Sequence, residues 1–125
     1  MSGWKLFFFV AALFNFAAGG PLLVAPEWML QTLELPVPAD VFFHKMTGLL
    51  VVCFGGLYGL IATDLGRYKP MVWFGIAGKA GVVVLFTQAW MAGAIPFKAY
   101  AVSLGDLAFT LGFIWFVLSY KPNEA

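Results

Sequence analysis

Two ionisable residues of opposite sign each stand alone in an apolar run: Lys79 in FGIAGKAGVVVLF and Asp106 in SLGDLAFTLGF. An ammonium and a carboxylate removed from water can pair with one another, hold the polar head of a greasy ligand, or relay a proton. Asn15 is a third polar residue in such a run, LFFFVAALFNFAAGG, and His44 opens a fourth, HKMTGLLVVCFGGLYGL. Ser103 and Thr110 lie at i−3 and i+4 from Asp106, on one helical face with it. Phe86 and Trp90 follow Lys79 at i+7 and i+11. Asn15, His44, Lys79, Asp106, Ser103, Thr110, Phe86 and Trp90 form the candidate ligand-binding set. Together they would put a few convergent polar groups at one end of an aromatic-lined apolar pocket. The competing reading makes Lys79, Asp106 and Asn15 an interhelical clamp that fixes register.

Other chemistries are poorly supplied. A single cysteine, Cys53, excludes an internal disulfide and paired-thiol redox chemistry, and is expected to pack as a small hydrophobe. One histidine excludes bis-histidine haem and any histidine-rich metal centre. The residues form no nucleophile–base pair, metal-ligand spacing or phosphate loop, so no catalytic or metal-binding residue is assigned and an enzyme is the weakest reading. A net charge of +1 offers no basic face to nucleic acid.

The elements that must position these groups are set by composition. The chain has 125 residues, of which 62% are hydrophobic, 18% aromatic and 10% charged. A soluble domain would be charged at about a quarter of its positions. Four apolar segments, at about 4–24, 41–62, 71–92 and 99–119, each reach the roughly 20 residues needed to cross a bilayer. Short connections predict an all-α, antiparallel four-transmembrane-helix bundle as a single domain over 1–125. Lys5, Arg67, Lys69 and Lys121 fall at one set of ends, whereas Lys98 is alone in a loop at the other. That asymmetry places both termini in the cytoplasm. The first segment carries a lysine and small residues as a signal peptide would. However, its apolar run continues through Val24 and is interrupted by Asn15, so it reads as a span. The connection PEWMLQTLELPVPAD, residues 26–40, interleaves apolar with acidic residues and suits a short helix anchored in the headgroup zone by Trp28. A lid over an outward-facing opening is the sharper alternative.

A lysine at mid-span costs about 2.5 to 3.5 kcal/mol on insertion scales. The third span holds eight Val, Ile, Leu and Phe residues. At roughly 0.3 to 0.6 kcal/mol each these offset that cost with little to spare, so Lys79 is expected to seek a partner inside the bundle. Counting from Lys5, Lys69 and Lys98 at about 1.5 Å per residue brings Asn15, Lys79 and Asp106 to similar depths near the midplane. Lys79 leans toward the cytoplasm and Asp106 away from it, so contact is expected either through the long lysine stem or through a bridging water. His44 is expected to point inward above this layer. Gly55 and Gly59 on the second span, Gly75, Gly78 and Gly81 on the third, and Gly105 and Gly112 on the fourth mark faces where backbones approach closely. Self-dimerisation would use the same faces.

The order of features resembles the small four-helix bacterial membrane proteins grouped as DoxX-like. It runs from NFAAGGPLLVAPEWML and HKMTGLLVVCFGGLYGL through DLGRYKP to GIAGK and GDLAFTLGFIWF. A remoter architectural similarity is to the emopamil-binding group, whose bundles enclose lipophilic ligands; its catalytic acid and histidine cluster has no counterpart here. The resemblance implies a multi-pass protein of the bacterial inner membrane, sometimes tied to quinone-linked redox complexes. Three functions follow as expectations: a module binding a quinone, isoprenoid or other lipid; an accessory subunit of a larger membrane complex; or, last among them, a proton or ion pathway through Asp106 and Lys79.

Overall fold

A computed structural model describes residues 2–121. Among them there is no strand, and four helices are long and apolar enough to cross a membrane. They are α1 (Gly3–Val24), α3 (Phe42–Thr63), α5 (Val72–Met91) and α6 (Phe97–Ser119). Two short helices sit in the connections, α2 (Pro26–Thr32) and α4 (Leu65–Tyr68), and a 3-10 turn over Lys69–Met71 runs from α4 into α5. Apolar runs of this length must be helical in lipid, where only a helix satisfies every backbone group within its own segment. The ends are locally encoded. The Ser2 hydroxyl accepts from the Lys5 N–H at 3.2 Å, and an Asp40 carboxylate oxygen accepts from the Phe42 N–H at 2.9 Å where α3 begins. Gly93, at φ +75°, closes α5 in a left-handed conformation that L side chains resist.

The helices pack most extensively as two pairs, α1 on α3 and α5 on α6. The first pair meets backbone to backbone. A Cβ added to Gly48 would lie 2.5 Å from the Leu23 nitrogen and 2.8 Å from the Gly19 oxygen. Farther along, Gly55 meets Phe16 and Asn15, and Gly59 lies opposite Ala12. Thus Gly55 and Gly59 serve packing within the chain. Between the pairs, rings fill glycine notches: Phe14 seats on Gly105 and Phe7 on Gly112, a heptad apart on both helices. Tyr58 fits against Gly75 in the same manner. Gly81 has no such neighbour within 4 Å.

The two halves of the bundle differ. One half is a solid aromatic core in which the Phe8 and Phe113 rings stack at 5.1 Å, joined by Tyr58, Ile61, Leu65, Val72 and Phe116. The other half, toward α2, contains a cavity. Leu6, Phe9 and Leu13 on α1, Leu49 on α3, Leu85 on α5 and Trp115 on α6 point outward, as lipid-facing side chains do. Cys53 also lies on this outer surface rather than packing inside, because the inward face of α3 is taken by Val51, Phe54 and Tyr58.

Candidate functional site

Lys79 comes from the middle of α5 and is only 4% exposed. Its Nζ donates to Asp106 Oδ1 at 2.6 Å and to Asn15 Oδ1 at 2.8 Å. The ammonium and carboxylate therefore face a shared interior and touch directly, without an intervening water. The helical lean of the two residues is overcome by the lysine stem. Asn15 is held in turn by its Nδ2, which donates to the Val51 carbonyl of α3 at 3.0 Å. Three spans, and a fourth through a backbone oxygen, thus converge on one ion pair. The rings of Phe14, Phe109 and Tyr58 surround the ammonium, with centroids 5.0, 5.3 and 5.4 Å from Nζ. Their electron-rich faces add to its stabilisation in a dry site. This arrangement satisfies the rule that a charge in hydrocarbon is paired and hydrogen-bonded.

The pair is not sealed by packing on all sides. A cavity of about 320 Å³ begins at Asn15, Lys79 and Asp106 and extends away from the solid core. Its walls are Phe14, Ala18 and Leu22 from α1, a stripe of α3 running from the exposed Thr47 and Leu50 to the inward Val51, Phe54 and Tyr58, Gly78, Val82 and Phe86 from α5, and Val102 from α6. Met29 of α2 and Leu33 just beyond it complete the lining. The 26–40 segment therefore does more than anchor. Trp28 is exposed, as an interfacial residue would be, while the neighbouring Met29 and Leu33 cover the cavity.

Of the residues singled out in the sequence, Asn15, Lys79, Asp106 and Phe86 meet at this cavity. The other four do not line it. Ser103 is fully buried but donates to the Tyr100 carbonyl at 2.6 Å, and Thr110 donates to the Asp106 carbonyl at 2.7 Å. Both hydroxyls thus turn back onto their own helix, a local bond that competes with any more distant partner. Trp90 stacks on Tyr100 at 4.7 Å, tying α5 to α6 near the loop that joins them. His44 lies one turn beyond Thr47 and is half-buried, its Nδ1 without a hydrogen-bond partner among the described residues. The residues missed were the apolar walls, together with Tyr58 and the Val51 carbonyl. The α3 stripe at i, i+3, i+4, i+7 and i+11 from Thr47 was the available signal.

Among the described residues no group of His, Cys, Asp and Glu could hold a metal ion. The arrangement can receive a small molecule whose polar end meets a charged pair and whose remainder lies against hydrocarbon. Comparison with protein-family models, with curated proteins and with solved structures finds no match to this chain.

Proposed function

We propose that this chain is a multi-pass inner-membrane protein that binds a small lipophilic molecule, such as a quinone or a lipid, with its head at Lys79, Asp106 and Asn15. The observation that carries this reading is the cavity of about 320 Å³ ending on a buried ion pair. A clamp alone has no use for unfilled volume beside its charges, since close packing would stabilise it further. The volume lies at the lower end of the roughly 300 to 1,000 Å³ typical of ligand sites, and its lining is apolar with a few polar groups at one end. A proton or ion pathway is disfavoured by the solid core of Phe8, Phe113 and Phe116 that occupies the other half of the bundle.

Native mass spectrometry of protein released from nanodiscs should detect one retained lipophilic mass per chain. Val82→Trp, which fills the cavity wall, should lower retention at least about tenfold, equivalent to about 1.4 kcal/mol. Val84→Trp on the exposed side of α5 is the control and should leave retention unchanged. Equal retention in the two variants would sink the proposal.

We further propose that the four spans are antiparallel with both termini cytoplasmic. Support comes from contacts whose numbers run in opposite directions, Gly19 with Gly48 and Ala12 with Gly59. The cations Lys5, Arg67, Lys69 and Lys121 also gather at one end. At that end Lys69 Nζ donates to the Tyr120 carbonyl at 2.5 Å, tying the α4–α5 turn to the end of α6. Alkaline phosphatase, which matures only after export, should be active when inserted after Ile95 and inactive when fused after Ala125. The opposite pattern would overturn the orientation. The DoxX-like resemblance adds the bacterial inner membrane as the setting.

A further inference from the structure

Which polar head the cavity accepts follows from the hydrogen-bonding capacity left over at the ion pair. Lys79 has three N–H donors, and two are engaged by Asp106 and Asn15. The third has no oxygen or nitrogen partner among the described residues. Asp106 receives Lys79 on Oδ1, and among the described residues no donor reaches its Oδ2, although the side chain is only 15% exposed. The wall carries two hydroxyl residues: Thr47 donates back to the Phe43 carbonyl at 2.9 Å, and the Tyr58 hydroxyl is seated against Gly75, one turn of α5 from Lys79. Lys79 and Asp106 therefore keep one unpaired donor and one unpaired acceptor at the polar end of the cavity, with the second N–H of Asn15 Nδ2 as a further donor there. The only formal charges in the lining are those of Lys79 and Asp106, and they cancel.

We propose, building on the ligand-binding reading above, that the site selects an uncharged amphiphile bearing a hydroxyl, whose oxygen accepts from Lys79 Nζ and whose O–H donates to Asp106 Oδ2. A hydroxyl is the smallest group that both donates and accepts. An ether or ketone satisfies the lysine but has no donor for the carboxylate oxygen, and so forgoes a charge-assisted hydrogen bond. A carboxylate head brings a second negative charge beside Asp106 with no additional cation in the lining to balance it. The tail lies along Val82 and Phe86, away from the aromatic core. By this chemistry a quinol or a long-chain alcohol is preferred to a quinone or a fatty acid.

Three photoreactive probes with one tail test this in nanodiscs: hexadecanol, its methyl ether and the corresponding fatty acid. Peptide mapping should find the alcohol crosslinked to the 78–86 segment at least about tenfold more than either other probe, the size of one hydrogen bond to a charged group. Ether labelling equal to that of the alcohol, or acid labelling equal to it, would overturn the hydroxyl assignment while leaving a ligand site in place. If no probe labelled that segment above the exposed Leu111, Trp115 and Leu118 of α6, the ligand-binding reading itself would fall. Asp106→Asn leaves Lys79 as the one formal charge in the lining and should raise the acid-to-alcohol labelling ratio at least about tenfold. An unchanged ratio in folded Asp106→Asn protein counts against the proposal, and if that variant does not accumulate, the wild-type probe series decides.

Discussion

Asp106→Ala is expected to destabilise the bundle by about 3 to 5 kcal/mol, because it strands the Lys79 ammonium in a dry interior without its counter-charge. Lys79 and Asp106 side chains are 5% and 15% exposed, so solvent offers little relief. Joint replacement with apolar residues of similar size, Lys79→Met with Asp106→Leu, should recover stability to within about 1 to 2 kcal/mol of the parent or better, because both desolvation penalties vanish together. Fraction folded against dodecyl sulfate in mixed micelles, followed by circular dichroism, measures both. A single variant as stable as the double one would mean that the pair is hydrated and weak. The double variant also separates clamp from site. If it folds well yet no longer favours the alcohol probe, the pair is kept for recognition rather than for holding the helices together.

Gly48→Ala should cost about 3 kcal/mol or more, at the upper end of what overpacking does. The added methyl would fall 2.5 Å from the Leu23 nitrogen, 2.8 Å from the Gly19 oxygen and 2.9 Å from the Leu22 carbonyl carbon. All three are backbone atoms, which cannot rotate aside as a side chain can. Relief requires α1 and α3 to separate, which weakens the Asn15 bond to the Val51 carbonyl on the same interface. Gly56→Ala and Gly20→Ala meet nothing within 4 Å and should be neutral or slightly stabilising, since alanine favours helix. The same dodecyl sulfate titration ranks them. Equal behaviour of Gly48→Ala and Gly56→Ala would show that the two helices are not in backbone contact at this point.

The four long helices were legible to within two residues at each end, because about 20 apolar residues in lipid have no stable alternative to a helix. The ion pair was legible for a related reason: a lysine and an aspartate in hydrocarbon must find partners, and Asn15 lay at a similar depth. The cavity walls were not. Leu22, Phe54 and Val82 are as apolar as Leu13, Leu49 and Leu85, which point outward. In a bilayer the outside of a bundle is as apolar as its inside, so the contrast that marks a core stripe in a soluble helix is missing. Hydroxyl direction was equally hidden. Ser103 and Thr110 share a face with Asp106, yet their oxygens return to the carbonyls of their own helix. In the 26–40 segment, alternation identified an amphipathic piece without saying whether its apolar side met lipid or covered a cavity.

The unequal filling of the bundle bears on the integrity of the membrane it sits in. Phe8, Tyr58, Phe113 and Phe116 stopper one end with rings less than 2% exposed, so the molecule is a cup and not a tube. A vessel closed at its base can exchange a guest from one leaflet while the permeability barrier stays intact beneath it. On the proposed ligand-binding reading, this closed base lets a charged pair meet a lipid-borne guest without opening a path for ions across the bilayer.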